Sequence, residues 1–170
     1  AMLLVGFWFG LRSESLLELK VDNVFNGTNE NGKTLRLYLP VTKNNEEYDK
    51  TIDQLDYLCP IPAVWDWINA SQPGQENYLF SSINQWGTIS PKKIHVDSII
   101  PIWRKIFTLA CLDRADELTA HSLRRGSTIW AFKQGATLKD IMEWFGWKDA
   151  ASALKYVDAT PSLPTVLQKK

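Results

Sequence analysis

The stretch His121-Ser122-Leu123-Arg124 lies in the last third of this 170-residue chain, inside a predicted run of capped helices. Thr119 can cap the helix that holds it, and Gly135 is typical of a residue that ends one. His121 and Arg124 are then three residues apart on one helix, so both side chains can reach the same anion. An isolated pair of this kind is ordinarily solvated surface, so its meaning depends on the residues that accompany it.

Four other residues have suitable chemistry at separated positions along the chain. Arg12 lies at a predicted junction between two helices, and Lys43 lies at or beside the tip of a predicted hairpin. Trp147 follows the glycine that ends the next helix, and Tyr156 belongs to a short predicted helix over residues 150–158. Cations, an aromatic N–H donor and a phenol are therefore distributed over the whole chain.

Hydrophobic periodicity predicts mostly helices. Residues 3–11 form an apolar helical stripe broken by Gly10, and the polar, irregular-looking stretch 78–93 has no predicted element. A second helix is predicted through Leu19, capped by Ser13 or Ser15, and a third is opened by Pro60 and Pro62. A longer helix is predicted over residues 98–112, with Pro101 in its first turn. A further helix is predicted from a Thr137–Asp140 capping box to Gly146.

Alternating residues in the first third predict a small sheet. Leu35, Leu37 and Leu39 alternate with polar or aromatic residues, as in a half-buried strand, and Pro40 favours an edge position for it. A turn over residues 42–45 connects it to a returning strand over residues 48–52, and a third strand is predicted near Val24.

These motifs resemble, in order and spacing, the catalytic domain of tyrosine recombinases, the phage integrase family. The resemblance extends from about Leu3 to Tyr156, and five separated motifs in order are far more specific than any one of them. It implies a mainly α fold with a small three-stranded antiparallel β-sheet (α+β). Residues 1–158 are the expected catalytic domain and residues 159–170 a mobile tail. The chain also opens within an apolar pattern, so an amino-terminal DNA-binding domain is expected upstream.

The resemblance also implies roles for individual residues. Arg12 and Arg124 would hold the scissile phosphate, Tyr156 would be the nucleophile, and Lys43 would be the general acid. Guanidinium groups suit this role because each binds two oxygens of a phosphate that gains charge as it is attacked. A tyrosine has an ordinary pKa of about 10, so the nucleophile needs a cationic pocket to favour the phenolate.

Two further positions match the family and one departs from it. His121 matches the first histidine of the pattern. Trp147 stands where members of the family have either His or Trp. The Trp variant is similar to the branch that includes Cre-like recombinases. The family usually has an acidic residue three positions after the first arginine, where this chain has Ser15, with Glu14 one residue earlier. The usual acidic residue that supports the first arginine is therefore absent here, and Glu14 is a candidate to replace it.

The predicted function is that of a site-specific DNA recombinase that cuts and rejoins strands through a 3′-phosphotyrosyl intermediate without metal, cofactor or ATP. Its expected partners are double-stranded DNA, further copies of itself in a homotetramer, and accessory DNA-bending or directionality proteins. The alternatives are a DNA-binding module of the same fold without strand exchange and a type IB topoisomerase-like relaxing activity.

Composition sets limits on these predictions. The chain is 45% hydrophobic and has 19 Lys+Arg against 19 Asp+Glu, which argues against binding DNA by bulk charge. Residues 1–85 have a net charge of −5 and residues 86–170 of +5. Two cysteines, expected to be buried thiols, favour a reducing cytoplasm, and no segment predicts a membrane span or signal peptide.

Overall fold

The computed structural model describes residues 1–40, 47–74, 77–147 and 149–157, the last segment with side chains only in part. Short 3₁₀ turns at Val21–Asn23 and Ala115–Glu117 connect longer elements. The helices are Met2–Trp8 (α1), Ser13–Glu18 (α2), Pro60–Ser71 (α3), Val96–Leu109 (α4), Ser122–Lys133 (α5), Leu138–Phe145 (α6) and Ala150–Val157 (α7). The strands are Val24–Asn29 (β1), Gly32–Leu39 (β2), Tyr48–Asp53 (β3), Ser81–Ile83 (β4) and Ile89–Lys93 (β5).

The first three strands form an antiparallel sheet in the order β1-β2-β3. Leu35, Leu37 and Leu39 of β2 are buried, which is the alternation expected of a strand with one face in the core. The predicted mainly α fold with a small three-stranded antiparallel sheet is thereby confirmed. The edge position predicted from Pro40 is wrong, because β2 is the central strand and Pro40 comes after its last residue, where it removes no ladder hydrogen bond.

The main core lies between this sheet and the first four helices. Its largest fully buried side chains include Phe9, Leu16, Ile61 and Trp103, contributed by the α1–α2 region, α3 and α4. Burial of large apolar side chains is worth roughly 1.5–3 kcal/mol each, so these helices are held by packing more than by their own propensity.

A second, smaller apolar cluster joins the last helices of the described chain. It contains Ile141 and Phe145 of α6, Trp147 after that helix, and Ala153 of α7. The predicted capping box opens α6: the Thr137 hydroxyl accepts from the Asp140 N–H at 3.2 Å, and the Asp140 carboxylate accepts from the Thr137 N–H at 2.8 Å. This cluster places the residues that follow Gly146 against α6.

The apolar amino-terminal run forms a shorter helix than predicted. It ends at Trp8, and the chain then turns through Gly10, whose φ of +56° lies in the left-handed region. Within the described ranges, no helix is long and apolar enough to cross a membrane.

Residues 78–93 were predicted to be irregular, and that prediction is wrong. They contain the antiparallel hairpin of β4 and β5. Its turn is held by Asn84, whose side-chain oxygen accepts from the N–H groups of Trp86 at 3.0 Å and Thr88 at 2.9 Å. The strands are short and mostly exposed, so they lack the alternation that would have revealed them.

Two helix starts also differ from the prediction. Arg12, not Ser13 or Ser15, is the N-cap of α2, and both serines are buried inside that helix. Helix α4 begins at Val96, so Pro101 lies beyond its first turn. The earlier start follows from His95, whose side chain accepts a hydrogen bond from the Asp97 N–H at 3.4 Å and caps the helix.

The two cysteines are free thiols, as expected, but they are not both buried. Cys59 is half-buried and its sulfur accepts from the Leu55 N–H at 3.4 Å. Cys111 is exposed in the turn after α4, where its φ of +54° lies in the left-handed region.

We expect Gly10→Ala to destabilise the fold by about 2–5 kcal/mol, the sum of a left-handed backbone penalty and overpacking. A Cβ at Gly10 would lie 2.0 Å from a ring carbon of Phe145, far inside van der Waals contact. The measurement is urea unfolding of the two proteins.

Gly146→Ala is the matched control, because Gly146 has a similar φ of +62° but a Cβ added there would meet no atom within 4 Å. It should lose only the backbone penalty, about 1–2 kcal/mol. Equal losses in the two variants would show that the Phe145 contact does not restrict residue 10.

Candidate active site

Arg124 lies at the centre of the candidate site. It is on α5, and only 6% of its surface is exposed. Its Nη1 donates to the Gly10 carbonyl at 2.6 Å, and its Nη2 donates to the Phe145 carbonyl. Gly10 precedes Arg12 by two residues, and Phe145 precedes Trp147 by two. One guanidinium therefore joins three motifs that are far apart in the sequence.

Aromatic rings enclose the same guanidinium. Its central carbon is 5.2 Å from the centroid of the Trp147 ring and 5.9 Å from that of Phe145. The two rings are 6.0 Å apart and inclined by 37°. Cation–π contacts of this kind gain strength when water is excluded, so the rings both orient Arg124 and lower the cost of burying its charge.

The backbone of Arg124 is also anchored. The hydroxyls of Ser127 and Thr128 both donate to the Arg124 carbonyl, at 3.0 and 2.8 Å, and both residues are buried. Sequence reasoning missed these two residues. Their spacing, three and four positions after the arginine, is the signal that could have identified them, since Ser and Thr bond back along a helix at that distance.

The C-terminal end of α1 is held by three side chains from three different elements. The Trp8 carbonyl accepts from Trp144 Nε1 at 3.0 Å, the Phe9 carbonyl accepts from the Tyr48 hydroxyl at 2.7 Å, and the next carbonyl is the one bound by Arg124. The last carbonyls of a helix have no partner within it, so these bonds satisfy acceptors that would otherwise be orphaned. Sequence reasoning assigned neither Tyr48 nor Trp144 a part in the site.

The Tyr48 hydroxyl is in a low-dielectric environment. Burial raises the pKa of Tyr48 above its ordinary value, while the nearby positive charge of Arg124 acts in the opposite direction. The phenol is therefore neutral across the physiological range and keeps its proton to donate to the Phe9 carbonyl.

Arg12 is placed by the turn that Arg124 holds. It is half-buried as the N-cap of α2, with an extended backbone of φ −65° and ψ 147°. Its guanidinium makes no hydrogen bond or ion pair with any residue that the structure describes. The support suggested for Arg12 from Glu14 is therefore not seen: Glu14 is exposed and lies close enough to Lys93 to contribute, after Glu18, to the raised pKa of that lysine.

His121 differs from the prediction. It is the exposed N-cap of α5 and not a residue within the helix, so it and Arg124 do not share a helical face in the predicted way. The helix begins two residues later than a Thr119 cap predicts, because the Ser122 N–H donates to the Thr119 carbonyl and the Ser122 hydroxyl accepts from the Thr119 N–H. His121 nevertheless lies three residues before the central arginine, at the N-terminal end of its helix.

Trp147 lies beside Arg124 because of the turn that follows α6. Gly146 ends α6 in the left-handed conformation, and the Trp147 N–H donates to the Met142 carbonyl at 2.9 Å. This pair of features is typical of a helix C-terminus that reverses direction. It turns the indole back toward the guanidinium.

Two predicted site residues are described in part or not at all. Lys43 lies outside the described residues. In sequence it falls between Leu39 and Tyr48, which form the last pair of the β2–β3 ladder. The backbone of Tyr156 is in α7, which contacts α5 and α6. Among the described residues, no three His, Cys, Asp or Glu side chains are grouped so that they could hold a metal ion.

We expect Arg124→Lys to destabilise the fold by about 1–3 kcal/mol, because one ammonium cannot bond both carbonyls and leaves a buried acceptor unpaired. The adjacent Arg125 is exposed, so Arg125→Lys should change the free energy of unfolding by less than about 0.5 kcal/mol. Chemical denaturation of both variants tests this. Equal stability of the two would mean that the bonds to Gly10 and Phe145 contribute nothing.

Comparison with known proteins places the chain in a family. The model of the phage integrase family matches residues 1–162. The chain is 26% identical over 168 residues to the prophage phiRv2 integrase of Mycobacterium tuberculosis, in strains CDC 1551 / Oshkosh and H37Rv. That match covers 94% of this chain and 42% of the relative, so the chain spans less than half the length of these curated relatives.

Two solved structures have a similar fold. One is the XerH site-specific recombinase bound to difH substrate in a pre-cleavage complex, with a TM-score of 0.69 and 16% identity, over 98% of this chain and 44% of that chain. The other is the XerA recombinase, with a TM-score of 0.65 and 17% identity, over 96% of this chain and 52% of that chain. The chain therefore belongs to the phage integrase family, and its fold is that of tyrosine recombinase catalytic domains.

Proposed function

We propose that residues 1–158 of this chain form the catalytic domain of a site-specific DNA recombinase that cuts and rejoins strands through a 3′-phosphotyrosyl intermediate. The observation that carries the proposal is the pair of bonds from Arg124 to the backbone of Gly10 and Phe145. Through them Arg12, Arg124 and Trp147 belong to one small region, although they come from distant parts of the sequence. Membership of the phage integrase family supports the same function.

The two arginines bind the scissile phosphate. Arg12 is half-buried with no bond to a described residue, so its guanidinium fork is available for two phosphate oxygens. Arg124 is bonded to the turn that precedes Arg12, so the second guanidinium lies in the same region as the first. Positive charge fixed in advance around the nonbridging oxygens stabilises the transition state, where those oxygens gain charge.

Tyr156 and Lys43 act at the two ends of the displacement. The Tyr156 phenol loses its proton to water and its oxygen attacks phosphorus, while the bond from phosphorus to the 5′-oxygen breaks. Lys43 gives one proton to that leaving oxygen and regains one from water. The products are a 3′-phosphotyrosyl bond and a free 5′-hydroxyl. Rejoining is the same reaction in reverse with a different 5′-hydroxyl, so no ATP is consumed. In this scheme no metal or cofactor takes part.

His121 and Trp147 complete the phosphate site. Trp147 offers an indole N–H, a neutral donor, to a phosphate oxygen. His121 stands exposed at the start of the helix that holds Arg124, where a second donor can reach the same phosphate. Both residues add hydrogen bonds to the two charged forks.

Double-stranded DNA is the proposed substrate, and a structure of similar fold, the Tn1549 transposon integrase in complex with transposon right end DNA, supports it. We also propose that four copies assemble on DNA and exchange strands in pairs, with accessory DNA-bending or directionality proteins as further partners. Residues 159–170, for which a mobile tail was predicted, lie outside the described residues. We propose that an amino-terminal domain also binds the DNA.

The decisive test is a covalent DNA adduct. The protein, with any flanking residues that its gene encodes, is incubated with a supercoiled plasmid that contains the DNA on both sides of the gene, and the reaction is stopped with detergent. We expect protein linked to a 3′-phosphate in the wild type and none with Tyr156→Phe. Tyr57→Phe, at an exposed tyrosine, is the matched control and should form the wild-type amount.

The arginines are tested in the same assay. Arg12→Ala should lower adduct formation by at least about 100-fold, the scale of losing one preorganised donor to the transition state. Arg125→Ala, at an exposed arginine, should not. Adduct formation that survives Tyr156→Phe would contradict the proposed nucleophile. Binding without any adduct would favour a DNA-binding module, and relaxation without recombination would favour a topoisomerase-like activity.

DNA binding by this chain should be weak and strongly dependent on salt. The net charge is zero, with +5 in residues 86–170, so a few placed cations must supply the attraction. Neutralising about two phosphates predicts a roughly tenfold loss of affinity between 50 and 200 mM salt. Fluorescence anisotropy with a labelled duplex measures this, and tight binding at physiological salt would contradict the charge argument.

A further inference from the structure

The hydroxyl of Tyr48 connects two parts of the candidate site that are distant in sequence. Tyr48 is the first residue of β3 and pairs with Leu39, at the end of the ladder next to the connection that contains Lys43. Its hydroxyl donates to the Phe9 carbonyl at 2.7 Å. Phe9 is fully buried and lies three residues before Arg12. One hydrogen bond thus runs from the base of the hairpin to the turn that places the first arginine.

We propose that Tyr48 is a positioning residue for Arg12. This inference rests on the proposed function, because it assigns Tyr48 a part in orienting a residue of that site. Tyr48 acts through the backbone and does not touch the DNA.

The turn from Phe9 to Arg12 is held at two successive peptide units. Gly10 has a left-handed backbone, which gives the turn its direction, and its carbonyl is bound by Arg124. The preceding carbonyl is bound by Tyr48 from the side of the sheet. Two successive peptide units are therefore bonded to two different elements, and this fixes the rotation of the turn as well as its position.

The orientation of the Arg12 side chain depends on that rotation more than it would if the side chain were bonded to a neighbour. In the described part of the chain its guanidinium has no hydrogen bond or ion pair that would orient it independently. Its direction is therefore set by the backbone at residues 9–12. Displacement of a positioned group by about 1 Å can slow a reaction about 100-fold, so a modest change in the turn is expected to be visible in the rate.

Burial makes the hydroxyl of Tyr48 difficult to replace. The phenol keeps its proton and donates to the carbonyl of Phe9, a fully buried residue at a helix end. Tyr48→Phe retains the ring and its packing but leaves the Phe9 carbonyl without this donor. The variant therefore removes the bond with little other change.

The first measurement is the rate of adduct formation at saturating DNA, with DNA affinity measured separately. We expect Tyr48→Phe to lower the rate by about tenfold or more, with the Kd for DNA within about twofold of wild type. Tyr38→Phe is the matched control, because Tyr38 is on the adjacent pair of the same ladder and bonds to Glu47 on the surface. It should react at the wild-type rate. A wild-type rate in Tyr48→Phe would overturn the proposal.

A substrate with an uncharged scissile linkage separates positioning from general damage. In a methylphosphonate a methyl group replaces one nonbridging oxygen, so the linkage has no negative charge for an arginine to neutralise. If Tyr48 acts through Arg12, the defect of Tyr48→Phe should fall to about twofold or less on this substrate, and that of Arg12→Ala should fall with it. An equal defect of Tyr48→Phe on both substrates would show a general structural role and overturn the proposal.

Backbone hydrogen exchange gives a readout that does not require cleavage. Exchange at residues 9–13 should be faster in Tyr48→Phe than in wild type, and unchanged in Tyr38→Phe. Unchanged exchange in both variants would overturn the proposal, whatever the DNA assays show. Faster exchange together with a wild-type protein that forms no adduct would contradict the proposed function while leaving the link from Tyr48 to the turn intact.

Discussion

Every described part of the candidate site depends on the pairing of one guanidinium with two backbone carbonyls. Arg124 bonds to Gly10 and Phe145, each of which lies in or beside a turn with a left-handed glycine. Charge-assisted hydrogen bonds are about twice as strong as neutral ones, and burial strengthens them further. The α1–α2 turn and the turn after α6 are thus attached to α5 at one point, and the side chains beyond each turn follow from it.

Under the proposed function, this arrangement explains how a chain without net charge can bind a highly charged substrate. Bulk attraction to DNA scales with the number of phosphates neutralised, and a neutral surface supplies little of it. Recognition of a single phosphate depends instead on donors fixed at one place in a medium of low dielectric. The aromatic rings of Phe145 and Trp147 create such a medium beside Arg124. The net charge of the chain and the donors fixed around one phosphate are therefore two separate properties.

Features set by sequence neighbours were predictable, and features set by tertiary contacts were not. The alternation in β2 and the Thr137–Asp140 capping box involve residues a few positions apart, and both are seen as predicted. The donors to the α1 carbonyls, Tyr48 and Trp144, lie 39 and 136 residues from their acceptors, and no local pattern marks them. Pro40 was misleading because its meaning depends on whether it lies inside the strand or just after it. The family resemblance identified the motif residues, whereas the bonds that hold them together required the fold.

The bond between Arg124 and Gly10 joins residues 114 positions apart, and this separation affects the order in which the site can be built during synthesis. Domains fold from the amino terminus as they are translated, at about 5–20 residues per second. The turn before Arg12 leaves the ribosome before its guanidinium partner, which emerges only after more than a hundred further residues, and the Phe145 carbonyl follows later still. A partly translated chain therefore contains Arg12 before the hydrogen bonds that orient its turn can form. Under the proposed function, the phosphate site requires that α5 and the turn after α6 have both been synthesised, so a nascent chain that stops before them cannot complete it.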